Sequence, residues 1–195
     1  MYHLIFLMLS LFFSACEPDS ADCKSFFKEG SRQLNLYYQS KQERHLDSSL
    51  IYFNNAIQCD NFKAAAIEQK IGILILLKDF SKASQFVDSL ESNVFLKPYT
   101  KEMYLSMLNG YKSAARGDSV GYRMQIKSAV QLLEKFIKLS PDKKKVDQQA
   151  YYDLFFLTSK IYPKLEIQNE ADRLAGLYPS DADFFNSLKN TFFEN

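Results

Sequence analysis

The residues that could do chemistry in this 195-residue chain are few: three cysteines, two histidines and scattered carboxylates. His3 lies at the N-terminus, directly before an apolar run, which leaves His45 as the one histidine for the rest of the chain. That count excludes a histidine-based triad, an HExxH zinc site and a two-histidine metal cluster. The sequence also lacks GxSxG, P-loop and CxxC motifs, and no GxGxxG follows a strand pattern. We therefore predict that the protein is not an enzyme and uses no metal or other cofactor.

The charged residues favour solvated surfaces over sites. Glu166 and Glu170 stand four apart on a predicted helix, the spacing of an ordinary exposed face, and Lys143 to Lys145 open another predicted helix as a solvated patch. The 24 basic and 23 acidic residues leave a net charge of +1, which supplies no field for holding a polyanion. We expect no nucleic-acid partner.

Two cysteines flank the first predicted helical hairpin, which uses residues 24–41 and 46–58. Cys23 precedes the first helix and Cys59 follows the second, so antiparallel packing brings both to the same end. In an oxidising compartment they could form a disulfide. The first helix is predicted to be longer than the second, however, and this difference could separate the Cα atoms beyond the roughly 7 Å that a disulfide tolerates. Pairing and two free thiols both stay open.

The elements that must position these residues are helices. The pattern of residues 62–90 predicts two short antiparallel helices separated by Lys78-Asp79-Phe80. Their apolar residues recur at helical spacing: Ala66, Ile67, Ile71, Leu74 and Leu77, then Phe80, Ala83, Val87 and Leu90. A hairpin of two such helices buries one side only, so it needs a neighbour, and such hairpins occur in stacked arrays.

This hairpin resembles a tetratricopeptide repeat. The positions that match that family's core and turn are Ile71, Leu74, Asp79, Phe80, Ala83, Val87 and Leu90. The anchor pair Ala83 and Leu90 recurs as Ser49 with Ala56, Ala129 with Phe136, and Ile167 with Leu174, and the first step equals the family's repeat of roughly 34 residues. The resemblance implies an all-α, right-handed array of about four antiparallel hairpins. An unrelated helical bundle is the alternative.

Two further hairpins and a last helix complete the predicted domain, residues 23–195. The third hairpin runs over 98–116 and 121–139 with its turn at Gly117-Asp118-Ser119, and the fourth over 141–161 and 163–175. Prolines stand at the predicted helix entrances, where their missing N–H costs nothing. Residues 180–193 form an amphipathic helix that we expect to cap the open end of the array. A docking helix for another protein is the alternative.

The N-terminus has the features of an export signal. The apolar run from Leu4 to Phe13 is too short for a bilayer-spanning helix, which needs roughly 20 residues. The ending Phe13-Ser14-Ala15-Cys16 resembles the lipobox of bacterial lipoproteins, in which the cysteine is lipidated, and the acidic residues after it resemble surface-lipoprotein signals of Bacteroidetes. The resemblance implies a signal peptide over 1–15, a flexible tether over 16–22, and a lipid-anchored domain in the periplasm or outside the cell, at the outer membrane or cell surface. A buried apolar helix is the alternative for the run.

Tetratricopeptide arrays bind partners in a groove lined by the first helix of each hairpin. Carrying that pattern over puts Leu34, Tyr38, Ala65, Glu68, Gly72, Tyr104, Met107, Tyr111, Gln149, Tyr152 and Phe156 on the groove. Among them we predict partner contacts from Tyr38, Glu68, Tyr104, Met107, Tyr111, Tyr152 and Phe156. The alternative is that these aromatic residues are core.

The predicted function is a membrane-anchored protein–protein interaction adaptor of the bacterial cell envelope. Two alternatives remain open from the sequence. One is an immunity or inhibitor lipoprotein for a secreted effector, and the other is a lipoprotein that binds a small ligand or a glycan. The absence of tryptophan does not favour a glycan site.

Overall fold

The computed structural model describes residues 20–139 and 146–193, and within these two ranges it contains helices and no strand. The α-helices there are α1 (Ser20–Ser40), α2 (Arg44–Ala56), α3 (Asp60–Leu76), α4 (Phe80–Ser89), α5 (Thr100–Ala115), α6 (Ser119–Leu139), α7 (Gln148–Thr158), α8 (Lys164–Leu177) and α9 (Ala182–Phe193). Short 3₁₀ turns lie at Ser92–Val94 and Pro179–Asp181. The predicted all-α class is confirmed.

The N-terminal predictions fall largely outside this part of the chain. The signal peptide over 1–15, the lipidated Cys16 and the first tether residues precede the described range. The predicted tether was nonetheless too long, because Ser20 to Asp22 already form the first turn of α1. Asp22 favours this helical start because its negative charge lies at the positive end of the helix dipole.

The chain divides into two compact units, whereas the sequence predicted one domain over residues 23–195. Unit 1 ends at Ile73 and unit 2 begins at Leu74, so the division falls near the end of α3. The predicted second hairpin, α3 with α4, therefore contributes helices to both units.

In unit 1, α1 packs along α2 at a point where a glycine allows close approach. A Cβ on Gly30 would lie 3.1 Å from the ring of Phe53, which is fully buried. The hydroxyl of Ser49, also buried, donates a 2.8 Å hydrogen bond to the Gly30 carbonyl oxygen. This bond partners the buried hydroxyl and fixes the register of the two helices.

In unit 2, successive helices pack side by side: α4 on α5, α5 on α6, α6 on α7, and α8 on α9, which also contacts α7. The first apolar cluster joins α5, α6 and α7 around Leu133 and Leu157. The second joins α7, α8 and α9 around Phe155 and Phe185. The outward residues of α9 are polar and exposed, among them Asn186 and Asn190, as expected of a capping helix.

The predicted turn between α3 and α4 is present, with Asp79 as its central residue. Lys78 takes the left-handed conformation, with φ +57°, and ends α3. The Asp79 N–H donates to the Leu74 carbonyl oxygen at 2.9 Å, and its carboxylate accepts from the Lys82 N–H at 3.1 Å. One aspartate thus closes α3 and caps α4.

The turn between α5 and α6 repeats this arrangement. Gly117 takes the left-handed conformation, with φ +79°. The Asp118 N–H donates to the Ser113 carbonyl oxygen at 3.0 Å, and the Asp118 carboxylate accepts from the Gly121 N–H at 2.7 Å. The two turns share one hydrogen-bond pattern because both place an aspartate directly after a left-handed residue.

Candidate functional site

The two cysteines around the first hairpin are joined. Cys23 and Cys59 form a disulfide with an S–S distance of 2.08 Å, and their Cα atoms are 5.8 Å apart. The unequal helix lengths, which left this pairing open from sequence, do not separate the two residues. Cys23 lies one turn inside α1, and Cys59 lies just past the end of α2, so the extra length of α1 extends beyond the bridge.

One residue predicted for the partner groove is core. Met107 on α5 is 3% exposed and belongs to the first apolar cluster of unit 2, where Leu133 and Ile126 of α6 also lie. A buried side chain cannot contact a partner, so this part of the groove prediction was wrong. The helical spacing that suggested a groove position equally places Met107 against α6.

Tyr104 and Tyr111, on the same helix, are half-buried and pack against the first cluster. The Tyr111 ring lies between two others, 5.3 Å from Phe80 and 6.3 Å from Tyr122, centroid to centroid. Burial raises the pKa of Tyr111 to about 12, because the phenolate would lose its hydration. Both tyrosines act chiefly as packing residues, with only part of each ring available to a partner.

Tyr152 and Phe156 on α7 form an aromatic surface in unit 2 together with Phe192 of α9. The ring of Phe192 lies 5.4 Å from Tyr152 and 6.3 Å from Phe156. Tyr152 remains 41% exposed, and the Lys160 ammonium lies 4.6 Å from the Phe156 ring. Of the residues predicted on α5 and α7, Tyr152 is the best placed to contact a partner.

The predicted contact residues of unit 1 lie on different helices. Tyr38, near the end of α1, is 52% exposed, and the Lys41 ammonium lies 5.6 Å from its ring. Glu68 is half-buried on α3. Tyr38 is therefore available to a partner, with a cation at one side of its ring.

A site that was not predicted from the sequence lies on the outer face of α1, and we call it the α1 depression. It is an open hollow of about 540 Å³ in unit 1. Its floor holds the rings of Phe27 and Phe62, stacked at 5.3 Å with an interplanar angle of 29°. The lining residues are Lys24, Phe27, Lys28, Ser31, Arg32 and Asn35 of α1 with Phe62 of α3.

The exposed cations Lys24, Lys28 and Arg32 form the rim of the α1 depression, and they are not equivalent. Arg32 holds Glu29 through two N–H groups, with Nε 2.8 Å from Oε2 and Nη2 2.5 Å from Oε1. Hydrogen bonds from Arg32 and Gln33 lower the pKa of Glu29 to about 2, so Glu29 stays ionised and cancels the charge of Arg32. Lys24 and Lys28 make no ion pair within the described ranges. They supply the net positive charge of the rim.

The sequence could have suggested half of this site. Lys24, Lys28 and Arg32 recur every four residues and so share one face of α1. Phe62 carries no such signal, because only the disulfide and the fold bring it to Phe27.

A cluster of polar side chains, also not predicted from the sequence, lies in unit 2 around Asp153 of α7. Asp153 accepts hydrogen bonds from the Tyr99 hydroxyl at 2.9 Å and from Gln149 Nε2 at 2.9 Å, and nearby Lys97 pairs with Asp147 at 2.6 Å. Desolvation raises the pKa of Asp153 more than these hydrogen bonds lower it. Each carboxylate oxygen of Asp153 already has a donor, so the cluster serves as a tie between α7 and the segment before α5.

The other charged residues singled out from the sequence offer no site. Glu170 pairs with Arg173 at 2.7 Å on the exposed side of α8, and Glu166 is exposed on the same helix. The patch of Lys143 to Lys145 lies outside the described residues. No group of three or more histidine, cysteine, aspartate or glutamate side chains is arranged to hold a metal ion in the part of the chain that the structure describes. Nor do residues 20–139 and 146–193 include a helix both long enough and apolar enough to cross a membrane.

Comparison with protein-family models, with curated proteins and with solved structures found no match to this chain. Its function must therefore be inferred from its own residues and their geometry.

Proposed function

We propose that this protein is a membrane-anchored protein–protein interaction adaptor of the bacterial cell envelope. The observation that supports the envelope location in this proposal is the Cys23–Cys59 disulfide, because such bonds form and persist in oxidising compartments and are rare in the cytosol. It agrees with an export signal over residues 1–15 and with a lipid on Cys16. Lipid anchoring would hold the helical domain at the outer membrane or cell surface, facing the periplasm or the exterior.

The finer fold assignment belongs to the same proposal. We infer four hairpins, α1 with α2, α3 with α4, α5 with α6, and α7 with α8, in the right-handed order of tetratricopeptide repeats, with α9 as the cap. Two observations support it. The turns at Asp79 and Asp118 repeat one hydrogen-bond pattern, and the outward face of α9 is polar.

The adaptor role assigns the protein no catalysis and no cofactor. Its surface offers exposed tyrosine at Tyr38 and Tyr152, and tyrosine provides apolar area and a hydroxyl at low cost in side-chain entropy. We propose that a segment of the partner contacts unit 2 at Tyr152 and at the neighbouring Phe156 and Phe192.

The testing experiment is a cross-linked pull-down of the full-length protein from its native membrane, compared with Cys16→Ala. Several envelope proteins that are lost with Cys16→Ala would support an anchored adaptor. A single soluble effector recovered from both versions would instead identify an immunity protein. A thermal shift with glycans and no protein recovered would identify a glycan-binding lipoprotein. Either of these results would overturn the adaptor.

The tyrosine contact has a matched control. Tyr152 and Tyr162 are 41% and 40% exposed, but Tyr162 lies in the connection between α7 and α8. We expect Tyr152→Ala to reduce recovery of the partners and Tyr162→Ala to leave it unchanged. Equal recovery with both variants would remove Tyr152 from the interface.

A further inference from the structure

The α1 depression is built around the disulfide. Cys23 lies one helical turn before Phe27 on α1, and Cys59 lies just before α3, whose first turn carries Phe62. The bridge therefore fixes the two segments that supply the stacked rings of the floor. A hollow whose walls are covalently joined is preorganised, so a ligand that fills it loses little free energy to ordering the protein.

The floor and the rim of the α1 depression favour different chemical groups of a ligand. The stacked rings of Phe27 and Phe62 offer an apolar surface that is open to solvent. Lys24 and Lys28 line the same hollow and are exposed. They make no ion pair in the described part of the chain, and Lys28 helps to lower the pKa of the neighbouring Glu29. A ligand complementary to both must carry negative charge beside an apolar group.

We propose that the α1 depression binds an acidic segment of a protein partner, which places an aromatic or aliphatic side chain on Phe27 and Phe62 and its carboxylates beside Lys24 and Lys28. The proposal rests on the adaptor function above and names the chemistry of the partner. The hollow has a volume of about 540 Å³ and is open to solvent, so a large side chain can enter it while the backbone of the segment stays at the surface.

A peptide segment fits this surface better than an anionic membrane does. Asp22 and Glu29 lie on the same helix, and Glu29 stays ionised beside Arg32. A broad anionic surface laid on α1 would meet both carboxylates as well as the lysines, whereas a narrow segment meets fewer of these like charges.

The test titrates the full chain, held in a non-ionic detergent, with three short peptides carrying the same uncharged dye, and follows fluorescence anisotropy. The first has one phenylalanine between two pairs of glutamate. The second replaces the glutamates by glutamine, and the third replaces the phenylalanine by alanine. We expect the first peptide to bind about ten-fold more tightly than either of the others, because each loses one half of the complementarity.

Charge reversal at the rim supplies the matched comparison. Lys24→Glu with Lys28→Glu should weaken binding of the first peptide about ten-fold or more, since attraction becomes repulsion. Lys135→Glu with Lys138→Glu changes the same charge on the exposed side of α6 and should leave binding unchanged. Reduction of the disulfide should also weaken binding, because the floor is then no longer held together.

Three results would overturn the proposal: no binding of the first peptide, equal binding of the glutamine peptide, or equal losses in the two charge-reversal variants. A fourth would reassign the site to lipid, namely protection of Lys24 and Lys28 from acetylation on phosphatidylglycerol vesicles but not on phosphatidylcholine vesicles, without peptide binding. Failure here is distinct from failure of the adaptor role. If the peptide does not bind but the recovery of envelope proteins still depends on Cys16, the adaptor role is retained and the binding site on α1 is rejected.

Discussion

The two units of this chain are stabilised in different ways. Unit 1 is the smaller, and a disulfide ties its first helix to the start of its third. Unit 2 contains no cysteine and relies on two apolar clusters, with polar ties at Lys97–Asp147 and Tyr99–Asp153. Small units bury a lower fraction of their surface, so covalent closure in unit 1 takes over part of the stabilisation that burial supplies in unit 2.

Removal of the disulfide should therefore have the largest effect on the stability of unit 1 relative to unit 2. We expect Cys23→Ala with Cys59→Ala to lower the free energy of unfolding of unit 1 by about 4 kcal/mol, the loop-closure value for a bridge of this span. The bridge joins residues 36 apart in sequence. Hydrogen–deuterium exchange should show the loss as faster exchange in α1 and α2.

Unit 2 provides the internal control for this variant. Exchange in α6 and α8 should match that of the unmodified chain, because both helices lie in the unit without cysteines. Equal acceleration in both units would contradict separate stabilisation. Unchanged exchange in α1 would show that packing at Gly30 and Phe53 is sufficient without the bridge.

The close approach of α1 and α2 is the next most sensitive point. Gly30→Ala places a methyl group 3.1 Å from the Phe53 ring. Overpacking should cost more than the roughly 1 kcal/mol that alanine gains as a helix former, so we expect the free energy of unfolding of unit 1 to fall by about 1 kcal/mol. Gly72 lies on α3 in the same unit, and a methyl group there would meet no neighbouring atom within 4 Å. Gly72→Ala should therefore raise the free energy of unfolding by about 1 kcal/mol, because alanine is the better helix former.

If urea unfolding shows that the free energy of unfolding falls for Gly30→Ala and rises for Gly72→Ala, the steric constraint lies at the α1–α2 crossing. Stabilisation by both substitutions would mean that the Phe53 ring can move aside to admit a methyl group. The crossing would then be loosely packed, and the disulfide alone would hold α1 close to the rest of unit 1.

The hairpins could be predicted from sequence because their signals are local. Gly117 and Asp118 mark the turn between α5 and α6, and the predicted ranges 98–116 and 121–139 differ from the observed helices by no more than two residues at each end. The predicted α7 was less accurate. It was expected to start at Pro141, whereas the observed helix starts at Gln148 with Asp147 as its N-cap.

The site could not be predicted as well, because it depends on contacts between distant segments. Tyr104 and Met107 stand three apart on α5 with similar apolar character, yet only Met107 is fully buried. The difference comes from the position of the neighbouring helices, which one helix's periodicity does not contain. The same holds for Phe27 and Phe62, since the sequence left open the disulfide that brings them together.

The polar tie of unit 2 predicts a pH dependence that unit 1 does not share. The pKa of Asp153 is raised in the folded state by desolvation, so its contribution to stability is fully present below its unfolded pKa of about 4 and is lost as pH rises through the folded pKa. Asp153→Asn removes this titration. Urea unfolding of unit 2 at several pH values should show a smaller decline from acidic to neutral pH in the variant.

The control for Asp153→Asn is Asp88→Asn, an exposed aspartate of the same unit on α4. Its unfolding should keep the pH dependence of the unmodified protein. If both variants reduce the pH dependence of the free energy of unfolding equally, that dependence comes from the net charge of the unit and not from the buried carboxyl group.

The smallest effect tests whether local turns contribute to the difference between the units. Lys41 ends α1 and Lys78 ends α3, and both have φ +57°, a conformation that costs a non-glycine residue roughly 1 kcal/mol. We expect Lys41→Gly and Lys78→Gly each to raise the free energy of unfolding by about 0.5 kcal/mol, since glycine relieves this strain but gains entropy in the unfolded chain.

Equal gains, measured by hydrogen exchange at α2 for unit 1 and α4 for unit 2, would show that the turns are energetically alike. The contrast between the units would then lie in long-range closure, by a disulfide in one and by apolar burial in the other. A larger gain at Lys41 would instead assign part of the contrast to the turn itself.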